Sequence, residues 1–270
     1  MHFTKMQGLG NDYIYVNTME EKVENPEKLA VKLSDRHFGI GADGLILICG
    51  SKKADVRMEM YNADGSRGKM CGNGIRCVAK YVYEGGIVSK KKLQIETESG
   101  IKETVILTDG QVQVNMGRPA VEGIQKRIVL SKPEVNDVSA DYISMGNPHV
   151  VIYMEELQSE KSLDSLKMEQ LGPLFEYHLG ENDRVNTEFV CVSDRETIKM
   201  RVWERGSGET FACGTGACAA AVSSILRNLT ERKVRIKLKG GNLLVKWEKD
   251  SEDLYMTGPA VTVFKGDITV

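Results

Sequence analysis

Met70-Cys71-Gly72-Asn73-Gly74 runs into Ile75-Arg76-Cys77-Val78-Ala79-Lys80-Tyr81, and 142 residues after Cys71 a near-copy appears: Ala212-Cys213-Gly214-Thr215-Gly216 runs into Ala217-Cys218-Ala219-Ala220-Ala221-Val222. Each phrase sets a cysteine before Gly-x-Gly and then a stretch of helical character. A thiol at a helix N-terminus meets exposed N–H groups and the positive end of the helix dipole, both of which favour its thiolate. Two such thiols, one in each half of the chain, point to a matched acid and base.

The repeat extends beyond the cysteines. Gly8-Leu9-Gly10-Asn11-Asp12 leads into the strand-like Tyr13-Ile14-Tyr15-Val16, and Met145-Gly146-Asn147-Pro148-His149 leads into Val150-Val151-Ile152-Tyr153. Tyr61 and Trp203 each stand ten residues before their cysteine. Three paired landmarks in one order imply two related domains, with a boundary near Gly117-Arg118-Pro119. The first domain is expected over 1–117 and the second over 118–261.

Strands dominate both halves. β-type runs cover Val56 to Tyr61, Leu93 to Thr97, Thr104 to Leu107, Gln111 to Met116, Thr197 to Val202, Val234 to Leu238 and Asn242 to Trp247. A helix is expected after Asn25, with Pro26 at its first position. Another is expected over roughly Glu155 to Met168. The Cys71 helix is expected to stop near Glu84, before Gly85-Gly86, and the Cys213 helix near Arg227. The second is Ala- and Val-rich around most of its circumference, which suits a helix buried inside a curved sheet.

Bulk properties narrow the classes. The chain has 270 residues, 41% hydrophobic, with 36 basic against 38 acidic residues and a net charge of −2. That length and apolar content fill two ordinary domains. The charge gives no electrostatic case for nucleic acid or an anionic membrane. No run approaches a membrane span, and Met1-His2-Phe3-Thr4-Lys5 lacks a signal-peptide core, so a cytoplasmic location is expected. Six cysteines in such a chain are expected to be reduced. The gaps between Cys71 and Cys77 and between Cys213 and Cys218 do not fit zinc ligation, so no metal is expected. Cys49, Cys77, Cys191 and Cys218 read as packing residues. Gly39-Ile40-Gly41-Ala42-Asp43-Gly44 matches G-x-G-x-x-G, but it follows a helix and opens a strand, the reverse of the dinucleotide-binding context.

Two thiols suit inversion at a carbon that bears hydrogen next to a carboxylate. One removes the proton from one face and the other delivers a proton to the opposite face. A free thiol titrates near ~8.5, and a helix N-terminus or cations lower this to between roughly 3.5 and 7.5. One placed acid–base group contributes ~10²–10⁴-fold. Backbone N–H groups around Gly72-Asn73-Gly74 and Gly214-Thr215-Gly216 are suited to gripping the substrate carboxylate. A reversible disulfide between Cys71 and Cys213 is the alternative from another class.

These blocks, with Asn62-Ala63-Asp64-Gly65-Ser66, Asn186-Thr187-Glu188-Phe189-Val190 and Glu204-Arg205-Gly206, resemble the diaminopimelate epimerase family over nearly the whole chain. The resemblance implies two similar α/β domains, each a curved mixed sheet or barrel around a central helix, with 262–270 returning to the first domain as its last strand. It implies cofactor-free interconversion of LL- and meso-diaminopimelate, feeding lysine and peptidoglycan synthesis, by a protein that is usually a homodimer. Cys71 and Cys213 become the two acid–bases. Gly72, Asn73, Gly214 and Thr215 hold the reacting carboxylate through backbone amides. Asn11, Asn62, Asn147, Asn186, Glu204 and Arg205 match substrate-contacting positions. Arg205 is suited to a second carboxylate and Glu204 to an ammonium group. His149 and Glu204 are candidates for tuning a thiol. Gly44 stands where some members carry a substrate-touching Gln, and the stretch 177–184 looks shorter than the family's loop. A proline or hydroxyproline racemase-like enzyme is the nearest rival, although Asn73 stands where that group would carry His.

Overall fold

The computed structural model describes residues 1–130, 137–157 and 162–269. It divides into two compact units, Met1–Asn115 with Thr257–Val270, and Met116–Met256. Each is a mixed sheet with a helix against it.

In the first unit His2–Gly8 pairs antiparallel with Asn11–Asn17, which runs parallel to Gly44–Cys49. The crossover between those parallel strands carries helix α1, Pro26–Ser34. Gly44–Cys49 then pairs antiparallel with Val56–Asn62, which forms a hairpin with Arg67–Gly68 and runs parallel to Lys92–Thr97. Helix α2, Gly72–Glu84, fills this second crossover. Gly100–Ile106 continues the sheet, and the late strand Val261–Asp267 pairs antiparallel with His2–Gly8.

The second unit repeats these pairings in the same order. Val138–Ser144 is antiparallel to Pro148–Tyr153, which is parallel to Asn186–Asp194. Asn186–Asp194 is antiparallel to Thr197–Glu204, which forms a hairpin with Gly208–Thr210 and runs parallel to Lys233–Leu238. Two 3₁₀ turns, Met154–Glu156 and Leu163–Ser165, and helix α3, Met168–Glu176, lie in the first crossover. Helix α4, Gly214–Leu226, fills the second. Among the described residues of 155–168 the expected helix is replaced by these 3₁₀ turns. Residues 158–161 of that stretch lie outside the described residues, and α3 begins where the expected helix ended.

Cys71 and Cys213 thus occupy equivalent places, each after a hairpin and before a crossover helix. Both crossover helices are buried where they meet the sheet. Ile75, Cys77, Val78, Ala79 and Val82 of α2 and Ala217 to Val222 of α4 are fully buried. The small side chains of α4 let strands approach it from several sides, so that helix has no polar face to speak of. Its Ser223 and Ser224 bond the Tyr153 hydroxyl at 2.7 and 3.0 Å, so even these buried hydroxyls are satisfied. Arg76 is also fully buried in α2, where it donates to Asn73 Oδ1 at 2.9 Å, Gly72 O at 3.0 Å and Pro259 O at 3.0 Å. Gly8 leaves room for that guanidinium, since a Cβ there would lie 2.8 Å from Arg76 Nη2.

The Gly39–Gly44 stretch closes α1. Gly39 N donates to Asp35 O and Ile40 N to Leu33 O, and the strand starts at Gly44. Gly44 itself is enclosed: a Cβ would stand 2.1 Å from Tyr61 O and 2.7 Å from Tyr13 Cε1. This arrangement excludes any side chain at the position. No helix among the described residues is long and apolar enough to cross a membrane.

Candidate active site

Each cysteine caps its helix. Cys71 is extended at φ −128° and ψ 121°, and its Sγ accepts from Gly74 N at 3.3 Å. Cys213 is extended at φ −112° and ψ 116°, and its Sγ accepts from Gly216 N at 3.4 Å. Sulfur here takes the place of the Ser or Asp oxygen that usually satisfies a first-turn N–H. The second glycine of each Gly-x-Gly follows from crowding. A Cβ at Gly74 would meet Ile46 Cδ1 at 2.7 Å, and one at Gly216 would meet Glu188 Oε1 at 2.4 Å.

In the first unit Asn11 and Asn73 gather at Cys71. The thiol donates to Asn11 Oδ1 at 3.3 Å, and Asn73 Nδ2 reaches the same oxygen at 3.5 Å. Asn11 Nδ2 donates in turn to Asp43 Oδ2 at 2.9 Å. Asp43 belongs to a charged group with Asp12, Arg36 and Lys5: Arg36 Nη2 lies 3.0 Å from both Asp12 Oδ1 and Asp43 Oδ1, and Lys5 Nζ lies 2.7 Å from Asp12 Oδ2. Burial, and then the Asp12 charge, push the Asp43 carboxyl up. At Asp12 desolvation acts upward too, but bonds from Lys5 and Arg36 outweigh it and hold that carboxyl below its ordinary value. Asn62 stands apart from this cluster, donating to Ser66 Oγ at 2.9 Å within its own turn.

In the second unit a chain of side chains reaches Cys213. Glu188 Oε1 bonds His149 Nδ1 at 2.7 Å, and His149 Nε2 lies 3.2 Å from Asn147 Oδ1. Asn147 Nδ2 donates to Thr215 Oγ1 at 3.3 Å, and that hydroxyl is 3.4 Å from Cys213 Sγ. His149 and Glu188 side chains are both 0% exposed. Glu188 Oε2 has no hydrogen-bond partner among the described residues. Glu204 accepts from the Thr210 hydroxyl and also bonds Cys213. Its burial pushes the carboxyl up, partly offset by those two bonds. Cys213 is pushed well above the ordinary thiol range, first by burial and then by the Glu204 and Glu188 charges. The helix N–H acts in the expected downward direction, but burial and two carboxylates outweigh it.

Asn186 and Arg205 form the outer part of this group. Asn186 Nδ2 donates to Pro148 O at 3.1 Å and its Oδ1 accepts from Arg205 N at 3.0 Å. Asn186 therefore ties the Gly146-Asn147-Pro148 stretch to the Glu204-Arg205-Gly206 turn. Glu176 holds the same turn from beneath, accepting from Gly206 N at 3.0 Å and from Trp203 Nε1 at 2.7 Å. The Arg205 side chain is exposed and reaches Arg184 O at 3.4 Å. Gly72, Asn73 and Gly214 are buried in the first helical turns, and Thr215 is half-buried. Among the described residues no group of three or more His, Cys, Asp or Glu side chains is placed to hold a metal ion.

Sequence reasoning missed Asp43, Glu188 and Glu176. Glu188 carried a signal: it is an acidic residue between Thr187 and the apolar run Phe189-Val190, on a strand whose first five positions are all buried. Asp43 sat inside a stretch read only for its glycines.

A model of the family described as diaminopimelate epimerase matches residues 3–122 and 141–263. The chain belongs to the diaminopimelate epimerase family. A diaminopimelate epimerase from Acetivibrio thermocellus is 49% identical over 281 residues, covering 99% of this chain and 98% of that protein. One from Methanococcus maripaludis is 46% identical over 283 residues and covers both chains completely. Solved structures show the same fold at low identity. A probable proline racemase from Agrobacterium radiobacter superposes with a TM-score of 0.75 at 16% identity, covering 100% of this chain and 93% of that one. A PhzF-family phenazine biosynthesis protein from Bacillus anthracis gives 0.74 at 17%, covering 100% and 99%. The chain therefore shares its fold with proteins named for other chemistry, and specificity has to be argued from side chains.

Proposed function

We propose that this protein interconverts LL- and meso-diaminopimelate without a cofactor, using Cys71 and Cys213 as the two acid–bases. The observation that carries the reading is the duplicated cap, in which each unit holds a thiol at the N-terminus of its crossover helix. One thiolate takes the α-hydrogen as a proton, leaving a carbanion stabilised by the adjacent carboxylate. The other thiol delivers a proton to the opposite face, and the roles exchange in the reverse direction. Cys213, disfavoured as a thiolate by burial and two carboxylates, suits the donor at rest. First-turn N–H groups at Gly72, Asn73, Gly214 and Thr215 would bind the reacting carboxylate, where negative charge develops. Arg205, with an exposed guanidinium, suits the distal carboxylate, and Glu204 an ammonium group. Asn11, Asn62, Asn147 and Asn186 complete the polar contacts, and His149 and Glu204 tune Cys213. The reading extends to a cytoplasmic homodimer serving lysine and peptidoglycan synthesis.

The test is incubation of reduced protein with LL-diaminopimelate in deuterated water, followed by NMR. The α-proton signal should disappear as the meso isomer forms. Absence of exchange sinks the proposal, and faster exchange of proline would hand the chain to the racemase reading.

A further inference from the structure

The Gly39–Gly44 stretch lacks the strand-then-helix context of a dinucleotide site, yet it places one carboxylate with a specific effect. Asp43 Oδ2 accepts from Asn11 Nδ2 at 2.9 Å and from Asp12 N at 3.1 Å. An ionised carboxylate only accepts hydrogen bonds, so the NH₂ end of Asn11 must face it. The carbonyl end must then face Cys71, whose thiol donates to it at 3.3 Å. The other end of the chain enforces the same sense. Arg76, which only donates, holds Asn73 Oδ1 at 2.9 Å, so Asn73 turns its NH₂ towards Asn11 Oδ1 at 3.5 Å. The direction of both amides is thus set by an anion at one end and a cation at the other. A carbonyl oxygen beside sulfur accepts from S–H and repels S⁻.

We propose that Asp43 is a positioning residue for Cys71: its carboxylate locks the Asn11 amide with the carbonyl towards the sulfur and so holds Cys71 as a thiol. The charged neighbours of Asp43 are Arg36, Asp12 and, through Asp12, Lys5; Tyr15 on the sheet is a titratable group that interacts with Cys71. The significance of this lock rests on Cys71 acting as an acid–base group, but its test needs no substrate.

The test is Asp43→Ala. Loss of the carboxylate frees the Asn11 amide from the group that fixes its NH₂ end, so that its NH₂ can turn to Cys71. Allowing a donor in place of an acceptor beside the sulfur favours the thiolate. Alkylation of Cys71 by iodoacetamide, followed by peptide mass spectrometry across pH 6–10, is the readout. Cys71 in D43A should react about tenfold faster or more at pH 7.5, with its rate profile moved to lower pH, since hydrogen bonds to a charged group are worth at least that much. A profile that coincides with the wild type, or moves to higher pH, in a D43A protein with a cooperative melt overturns the proposal. If D43A does not fold, Asp43→Ser, which also removes the acceptor-only group, carries the same expectation and decides. Wild-type protein that exchanges no diaminopimelate, with the D43A shift present, would sink the proposed function and leave this inference standing.

Discussion

The His149–Glu188 pair offers a quantitative check on how the second thiol's surroundings are built. Both side chains are 0% exposed, and they meet at 2.7 Å. Removing one member of a buried pair strands the other and costs about 3–5 kcal/mol, whereas replacing both by apolar groups is far milder. The two single losses should differ. In His149→Leu the Glu188 carboxylate keeps neither partner, because Oε2 has none among the described residues. In Glu188→Met the imidazole retains Asn147 at 3.2 Å and can settle into a neutral tautomer. His149→Leu should therefore be the more damaging, and the double variant should recover about 1–3 kcal/mol relative to the sum. Urea unfolding followed by tryptophan fluorescence is the assay, since both tryptophans, Trp203 and Trp247, lie in the second unit. Additivity within about 0.5 kcal/mol, or a larger loss for Glu188→Met, would refute the reasoning.

Other expectations are equally direct. Cys71→Ala and Cys213→Ala should each lower epimerisation by at least ~10²–10⁴-fold in the NMR assay, and normal turnover by either rules out two-base chemistry. Cys213, raised by burial and two carboxylates, stays protonated through the pH range where an ordinary thiol ionises. Its alkylation in free protein should be slow at pH 7.5 and climb only in more alkaline solution, and Glu204→Gln should move that climb to lower pH; rapid alkylation near pH 7 contradicts the assignment. Gly172→Ala places a Cβ 2.1 Å from Trp203 Cδ2, on an indole that Glu176 also anchors. It should cost about 1–3 kcal/mol or more in a thermal melt, and an unchanged melting temperature would show that the indole can yield.

The duplication was legible because a repeat preserves what both halves need: Cys-Gly-x-Gly, an Asn before the second strand, and an aromatic ten residues before each cysteine. The strands were legible from alternation, and α4 from the absence of a polar face. The helix expected after Tyr153 does not appear among the described residues there, because Leu163 and Leu166 reach the core from 3₁₀ and extended backbone. The downward pull of a helix terminus on Cys213 is legible in the sequence, and burial with two carboxylates outweighs it. Its opponents, Glu188 and Glu204, lie 25 and 9 residues away in the chain, and their proximity is a product of strand pairing. Hydrogen-bond direction was the least legible feature, because it depends on which group grips the far end of an amide.

That last feature separates the halves. Both carry an Asn near the thiol, but Asn11 is gripped by a carboxylate and Asn147 by an imidazole. A carboxylate only accepts, so Asn11 has one orientation. The Glu188 carboxylate fixes a proton on His149 Nδ1, so Nε2 accepts in the neutral imidazole and donates in the imidazolium. Asn147 therefore has two orientations, and the Thr215 hydroxyl between it and Cys213 can serve either form of the sulfur. Cys71 thus faces a partner suited to the thiol alone, and Cys213 faces one that adapts. The proposed reaction, run both ways, needs each sulfur in both states. As the proposed base, Cys71 is favoured when the Asn11 carbonyl turns away or is engaged by something else. Asn11 is itself a proposed substrate contact, so a bound ammonium group drawing on that carbonyl would release the sulfur. On this argument ionisation of the first thiol follows substrate binding and does not precede it. Cys71 in the free protein should accordingly resist alkylation at neutral pH despite its place at a helix N-terminus.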